Sequence, residues 1–237
     1  TELRHLVGLT DRLMAAAYSP NGKFVVTGGG AGTAHIWNVA TGMELQQLDG
    51  HTDRVTSASF SPDGNTIVTA SLDGTVRIWD AATGTELRLM VGHTDSIMSV
   101  GYSPDGATIV TAGSDGTARI WDTATGKEIR LLTGYTDVPF NFNSAAFSPD
   151  GKTIVTANED STARIWDAAT GNELRQLAGH TASVDAAAYS PDGKTIVTAS
   201  RDYTARIWDT ATGLEIHQLI GHTNWVNSAA YSPDGAT

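Results

Sequence analysis

The chain has 237 residues, of which 40% are hydrophobic, and a net charge of −11. This length allows a large buried core in one domain or repeat array. The acidic balance argues against a phosphate-binding surface, so nucleic acid is not an expected partner. No apolar run approaches the ~18 residues of a membrane span, so no membrane partner is expected either. Without cysteine, disulfides and thiolate metal sites are excluded, and a cytoplasmic location is the default expectation.

An internal repeat dominates the sequence. Five tryptophans stand 42, 42, 45 and 42 residues apart, at Trp37, Trp79, Trp121, Trp166 and Trp208. The turn Ser-Pro-Asp-Gly recurs with the same spacing, beginning at Ser61, Ser103, Ser148, Ser190 and Ser232. A period of this length is typical of solenoids and propellers.

The elements of one unit, taken in chain order, predict four short strands. Residues 55–60 and 66–70 are rich in β-branched and small residues and are separated by a Pro-Asp-Gly turn. Residues 75–79 alternate in polarity, and residues 86–89 follow an Ala-Thr-Gly turn. Runs of this length between Gly, Pro and Asp predict a four-stranded antiparallel meander. A helical repeat is rejected because turn residues every ~10 positions leave no room for its helices.

The unit resembles the WD40 repeat, with Gly50-His51 near its start and Trp79-Asp80 near its end. The resemblance implies an all-β β-propeller with blades of four antiparallel strands. We expect five complete repeats and a partial sixth in one array over residues 1–237. The predicted segments are an outer strand at residues 1–10, blades near 11–50, 51–92, 93–134, 135–179 and 180–221, and a partial blade at 222–237.

The same resemblance implies a hydrogen-bonded set of His, Ser or Thr, Asp and Trp within a blade. The full pattern is present at His51, Ser71, Asp73 and Trp79, and again at His180, Ser200, Asp202 and Trp208. Leaving a buried imidazole or indole N–H unpaired costs about 1–3 kcal/mol, so a structural role is assigned to these residues.

Other units depart from this pattern. Gly113 replaces the hydroxyl residue in the third unit, and Tyr135 and Asn158 replace His and Ser in the fourth. The first unit has Leu9, Gly29 and Ala31 at the three polar positions and retains only its tryptophan. We therefore expect the first blade to be the least well braced.

Catalytic, metal and cofactor sites are not predicted. A His–Asp–Ser set suggests a catalytic triad, but a near-copy 129 residues later favours a repeated structural brace. The histidines show no metal-ligand spacing. Gly151-Lys152-Thr153 resembles the end of a phosphate-binding loop, yet the glycine required five residues earlier is Ala146.

Positions that differ between units are the candidates for partner specificity. Three such columns follow the Gly-His loop or precede the turn Asp, and in the family they lie on one rim of the propeller. Interface anchors are often aromatic residues, arginine or methionine. The predicted partner-binding residues are Arg54, Leu72, Met98, Phe140, Asp185, Arg201 and Trp225. Phe140, in the three-residue insertion of the fourth unit, is predicted to be exposed.

The leading functional interpretation is a non-catalytic scaffold or sensor module that binds a protein or peptide partner and belongs to a larger polypeptide or assembly. The regular Trp-Asp-x-Ala-Thr-Gly linkers resemble those of bacterial arrays. Two alternatives are an enzyme that uses the central channel and a designed or recently amplified array with no evolved partner. A cluster of unique polar residues would favour the enzyme, whereas strong similarity between units favours recent amplification.

The ends of the chain do not complete a seventh unit. Thr1-Glu2-Leu3-Arg4 parallels the fourth-strand residues Thr85-Glu86-Leu87-Arg88, and the sequence stops just beyond a sixth first strand. Seven blades are usual in the family, so we expect this chain not to close a regular seven-bladed ring alone. Because unpaired strand edges are normally covered, we expect a fragment, self-association or a second chain that completes the open propeller.

Overall fold

The computed structural model describes residues 12–134 and 140–235, and this part of the chain contains strands and no helix. No helix long and apolar enough to cross a membrane is present among these residues. The first two sheets consist of β1 (Leu13–Tyr18), β2 (Phe24–Gly29), β3 (Thr33–Asn38), β4 (Glu44–Asp49), and β5 (Val55–Phe60), β6 (Thr66–Ser71), β7 (Thr75–Asp80), β8 (Glu86–Val91). The third sheet consists of β9 (Ile97–Tyr102), β10 (Thr108–Gly113), β11 (Thr117–Asp122) and β12 (Glu128–Thr133). The last two consist of β13 (Phe142–Phe147), β14 (Thr153–Asn158), β15 (Thr162–Asp167), β16 (Glu173–Ala178), and β17 (Val184–Tyr189), β18 (Thr195–Ser200), β19 (Ala205–Asp209), β20 (Glu215–Leu219).

Each sheet is an antiparallel meander in which strands pair in chain order. The predicted all-β architecture of five four-stranded blades is therefore confirmed, and we number the blades 1 to 5 along the chain. The sixth repeat is partial. Its described residues form no strand, but Val226 donates its N–H to the Ser200 carbonyl of blade 5 at 3.1 Å. The predicted outer strand at residues 1–10 lies outside the described residues.

The turn between the first and second strands shows why the repeat folds this way. In blade 2 the Ser61 hydroxyl donates to Asp63 Oδ1 at 2.6 Å, and the Ser61 N–H donates to the Thr66 carbonyl at 2.9 Å. Gly64 follows with a φ of +75°, in the left-handed region that favours glycine. The Ser-Pro-Asp-Gly sequence thus closes a tight hairpin in each of blades 2 to 5.

The hydrophobic core lies between the blades. Val76, Ile78 and Met90 of blade 2 pack in one cluster with Ile97 and Trp121 of blade 3. Equivalent clusters join the other successive blades. Because successive sheets bury the faces that they turn towards each other, the array is held together by burial of apolar surface between blades.

Tyrosine hydroxyls add polar contacts between some blades. Tyr102 of blade 3 lies 2.9 Å from the Thr66 hydroxyl of blade 2, and Tyr189 of blade 5 lies 2.9 Å from Thr153 of blade 4. Burial raises the pKa of both tyrosines to about 12, so they remain neutral hydrogen-bonding groups. Blade 4 has Phe147 at the same repeat position, which removes this contact from its interface with blade 3.

Candidate functional site

A chain of buried hydrogen bonds braces blade 2. Trp79 Nε1 donates to Thr69 Oγ1 at 2.8 Å, and Thr69 Oγ1 lies 2.8 Å from His51 Nε2. His51 Nδ1 lies 2.9 Å from Asp73 Oδ2. Because a carboxylate only accepts, the proton is assigned to Nδ1, which leaves Nε2 to accept from the threonine hydroxyl. The brace therefore requires a neutral imidazole.

The same connection recurs in blades 3 and 5. The corresponding residues are His93, Thr111, Asp115 and Trp121 in blade 3, and His180, Thr198, Asp202 and Trp208 in blade 5. Burial lowers the pKa of His51 and His180, and the neighbouring aspartates oppose this shift only partly.

The turn aspartate remains ionised in this environment. Burial alone would raise the pKa of Asp73, but hydrogen bonds from Thr75, Thr52 and His51 outweigh it and lower the pKa. Asp202 follows the same pattern: hydrogen bonds from Thr204, His180 and Thr181 lower its pKa against the effect of burial. A negative carboxylate thus holds the imidazole orientation.

The hydroxyl between His and Trp comes from a residue that sequence reasoning missed. Ser71, assigned to the network from the family pattern, donates to the Asp53 carbonyl at 2.9 Å and accepts from the Asp73 N–H at 3.1 Å. It shapes the turn, whereas Thr69 bridges His51 and Trp79. The equivalent of Ser71 in blade 5, Ser200, makes matching bonds to Ala182 and Asp202. The available signal was a threonine ten residues before each repeat tryptophan, at Thr27, Thr69, Thr111, Thr156 and Thr198.

The brace has no surface from which it could act on a substrate. Thr69 is completely buried, and its hydroxyl is already engaged by Trp79 and His51. A nucleophile must reach the reacting atom of a substrate as well as its base. The buried Thr69 hydroxyl is not accessible to a substrate atom. Across residues 12–134 and 140–235, no group of three or more His, Asp or Glu side chains could hold a metal ion.

Blade 4 has a different brace built on Arg164. Asp160 Oδ2 accepts from Arg164 Nη2 at 2.6 Å, and Glu173 accepts from Nη1 at 2.7 Å. The guanidinium lies 5.0 Å above the ring of Phe140, which stacks on Phe142 at 5.4 Å. Trp166 still donates to its threonine at 2.9 Å.

This packing differs from the predicted exposure of Phe140. Its ring is half-buried between Phe142 and Arg164, so its faces serve the blade and leave little to offer a partner. Asn158, at the usual serine position, keeps a buried Oδ1 without a hydrogen-bond partner among the described residues. Tyr135 lies outside the described residues.

Blade 1 retains only the Trp–Thr part of the brace. Trp37 Nε1 donates to Thr27 Oγ1 at 2.8 Å. His35, at the position of Arg77 in blade 2, pairs its Nδ1 with Glu44 at 3.0 Å. Gly29 and Ala31 provide no polar side chain, and Leu9 lies outside the described residues.

Two of the variable columns are adjacent in space. The Leu72 N–H donates to the Arg54 carbonyl at 3.0 Å, and the Arg201 N–H donates to the Ser183 carbonyl at 3.0 Å. The loops before the first strands and the turns between the second and third strands lie at the same end of each meander. We call this end the upper face.

Three of the predicted partner-binding residues form one cluster on the upper face. Arg201 Nε lies 3.0 Å from both carboxylate oxygens of Asp185. The Arg201 guanidinium carbon lies 5.0 Å from the centre of the Trp225 ring. We call Asp185, Arg201 and Trp225 the rim cluster.

The remaining predicted residues do not join the rim cluster. Arg54 is exposed, and its guanidinium has no ion pair with a described residue. Met98 is 37% exposed. Leu72 is half-buried, and its carbonyl accepts from the Ser96 hydroxyl at 3.3 Å.

A strained aromatic residue lies beside the rim cluster in sequence. Tyr203 has a φ of +70°, at the repeat position where blade 2 has Gly74. Ser161 of blade 4 has a φ of +68° at this position. A side chain in this region costs about 1–2 kcal/mol. Sequence reasoning missed Tyr203, although aligning the units shows the column Gly32, Gly74, Gly116, Ser161 and Tyr203.

A family model described as WD40, WD domain, G-beta repeat, matches six segments of the chain: 1–38, 42–80, 84–122, 126–167, 171–209 and 213–237. No curated protein matches the chain. The segment 42–80 contains β4 of blade 1 and β5 to β7 of blade 2. Each of the four segments between residues 42 and 209 therefore contributes strands to two blades, which ties neighbouring blades together covalently.

Proposed function

Because the chain belongs to the WD40 repeat family, we propose that it is a non-catalytic scaffold or sensor module that binds a protein or peptide partner at the rim cluster. WD40 repeats are generally protein-interaction scaffolds, usually bind protein partners and are typically non-catalytic. The proposal places this chain in the cytoplasm, as part of a larger polypeptide or assembly. Its constant positions stabilise the blades, and its variable upper-face positions select the partner.

The contact between Arg201 and Trp225 is the observation that carries this proposal. Trp225 is 55% exposed, whereas the other five tryptophans are at most 2% exposed. Tryptophan and arginine are the side chains most enriched among residues that dominate binding energy. The guanidinium holds the indole in place, which lowers the entropy that the ring loses on binding.

The remaining upper-face residues are secondary contacts in this proposal. Arg54 and Leu72 lie in adjacent upper-face loops of blade 2, and Met98 lies near the start of β9 in blade 3. All three would contact a partner large enough to extend across the upper face. Phe140 is omitted from the set because Phe142 and Arg164 cover its ring. The overall charge of −11 favours a partner that presents basic groups.

The experiment compares partner capture by Trp225→Ala and Leu87→Ala. Leu87 is an exposed side chain on the outer strand of blade 2, away from the upper face, and controls for the loss of an exposed apolar side chain. Proteins retained from the source cell would be quantified per mole of folded chain. We expect Trp225→Ala to lose a specific protein at least about tenfold while Leu87→Ala retains it. Equal retention by both variants would contradict the proposal.

A specific observation favours a second kind of partner as well. Leu13 of blade 1 is 46% exposed, whereas its equivalents Val55 and Ile97 are fully buried. Leu219 of blade 5 is also 46% exposed, whereas its equivalent Leu48 is 1% exposed. We propose that further protein, from a second copy or another chain, covers these two sheet faces. A strictly monomeric mass by light scattering at high concentration would contradict self-association.

A further inference from the structure

The upper face at blade 5 combines exposed aromatic rings with strain that the fold does not need. Tyr203 is 47% exposed and has the left-handed backbone that other blades give to glycine. Glycine occupies this position in blades 1 to 3 and avoids the strain, so the fold does not require a tyrosine here. The Tyr203 hydroxyl has no hydrogen-bond partner among the described residues.

Repeat equivalence places Tyr203 next to the loop that bears Trp225. A β-carbon added at Gly74 of blade 2 would lie 3.3 Å from the Asp95 carbonyl oxygen in the loop that begins blade 3. The residue equivalent to Asp95 is Asn224, directly before Trp225. The Val226 bond to Ser200 fixes this loop against blade 5. The two aromatic side chains therefore border the same part of the upper face.

The donors of this surface are unpaired, although its charge is balanced. Within the described residues, Trp225 Nε1 and both terminal nitrogens of Arg201 have no acceptor. The Arg201 charge is already matched by Asp185 through Nε. The surface consequently presents aromatic planes and hydrogen-bond donors with little net charge of its own.

An extended proline-rich peptide has the complementary chemistry. In the polyproline II conformation the carbonyl groups have no internal hydrogen bonds, so they are free to accept from indole, phenol and guanidinium groups. Proline rings pack flat against aromatic side chains, and the stiff chain loses little entropy on binding. An acidic peptide would gain less binding energy from Arg201, because Asp185 already neutralises the charge of this arginine.

We propose that Tyr203, Trp225 and Arg201 form a docking surface for a proline-rich segment of a partner protein in the polyproline II conformation. This inference rests on the proposed function and specifies the partner class for the same site. The strained backbone of Tyr203 is retained because it presents the ring to the ligand.

Tryptophan fluorescence provides a direct measurement, because Trp225 alone among the six tryptophans is exposed to a quencher. The probe is a decaproline peptide, and the controls are Gly-Ser and Asp-rich decapeptides. Decaproline should protect Trp225 from acrylamide quenching in the unmodified chain, and neither control peptide should do so. Protection by a control peptide to the same degree would overturn the inference.

Two glycine substitutions separate the effect of backbone strain on stability from the effect of the Tyr203 ring on peptide binding. Tyr203→Gly and Ser161→Gly each relieve a left-handed backbone, so each should raise Tm by about 3 °C in a chain of this size. Only Tyr203→Gly should weaken decaproline binding, by about tenfold. Equal decaproline affinity for Tyr203→Gly and the unmodified chain would overturn the role of the ring.

The outcome also distinguishes this inference from the proposed function. If Trp225→Ala loses its partner but decaproline does not protect Trp225, the rim cluster binds a partner of another class and the inference is wrong. If Trp225→Ala retains every partner, the proposed function itself fails. Protection by decaproline together with loss of partner in Trp225→Ala supports both.

Discussion

Blades 1 and 5 share one buried hydrogen bond, between tryptophan and threonine, and differ in the side chains that contact this threonine. Both have a third-strand tryptophan that donates to a second-strand threonine, Trp37 to Thr27 and Trp208 to Thr198, at 2.8 Å. In blade 5, but not in blade 1, the threonine hydroxyl also lies 2.7 Å from a histidine, His180 Nε2. The Trp–Thr bond is therefore the constant part of the brace, and the His–Asp part is an extension that a blade can lack.

Blade 4 shows that the extension can also be replaced. Its aspartate, Asp160, pairs with Arg164 at 2.6 Å, whereas in blade 5 the corresponding arginine lies 3.9 Å from Asp202. Phe140 covers the guanidinium and helps to exclude water from this pair. The turn aspartate thus needs a donor, and either an imidazole or a guanidinium provides it.

The largest expected effect comes from removing the shared hydroxyl in the two blades. Thr198→Val leaves both the Trp208 N–H and His180 Nε2 unpaired and should destabilise the chain by about 2–4 kcal/mol. Thr27→Val leaves only the Trp37 N–H unpaired, so about 1–2 kcal/mol is expected. Urea denaturation of both variants measures the difference, and equal losses would show that the histidine adds nothing to blade 5.

Removing the imidazole should have the next largest effect. His180→Ala leaves the Thr198 hydroxyl and the Asp202 carboxylate without their partner and should cost about 1–3 kcal/mol. The control is His35→Ala in blade 1, whose contact with Glu44 is partly exposed and should contribute less than about 1 kcal/mol. A denaturation midpoint for His180→Ala that equals that of the unmodified chain would argue against the brace.

Acid should weaken blades 2 and 5 before it protonates their turn aspartates, Asp73 and Asp202. Burial lowers the pKa of His51 and His180 in the folded chain, so the unfolded chain binds their protons more readily. This contribution to stability is present above the unfolded pKa of about 6.5 and is lost as the pH falls through the folded values. The denaturation midpoint should decrease between pH 7.5 and 5.5.

The double variant His51→Gln, His180→Gln tests the origin of that decrease. The aspartates whose pKa is lowered, Asp73 and Asp202, lose their contributions only at more acidic pH, so they do not interfere in this window. The variant should have a flatter midpoint between pH 7.5 and 5.5. A slope as steep as that of the unmodified chain would assign the pH dependence to other groups.

The sequence predicted the strands and their order because the turn residues recur with the hydrophobic pattern. It also singled out His180 and Asp202, whose types are distinctive and whose side chains lie 2.7 Å apart. It did not identify Thr198, because threonine is common in strands and its bridging role depends on which face of the sheet it occupies. Contacts that depend on side-chain direction in one unit, such as Arg164 over Phe140, have no counterpart among the described residues of the other repeats.

The smallest expected effect concerns the interface between blades 3 and 4. Phe147→Tyr should place a hydroxyl near Thr108, as Tyr189 does with Thr153, and stabilise the chain by about 0.5–1 kcal/mol. The reciprocal change, Tyr189→Phe, should remove a similar amount. A thermal scan of both variants provides the test, and destabilisation by Phe147→Tyr would show that this interface has no space for the hydroxyl.

We propose that constant positions stabilise the blades while variable upper-face positions bind the partner. The most direct measurement is the partner retained per mole of folded chain for Trp225→Ala and Thr198→Val, at a temperature where both remain folded. We predict that Trp225→Ala loses the partner and that the less stable Thr198→Val retains it. Retention by Trp225→Ala together with loss by Thr198→Val would contradict the account.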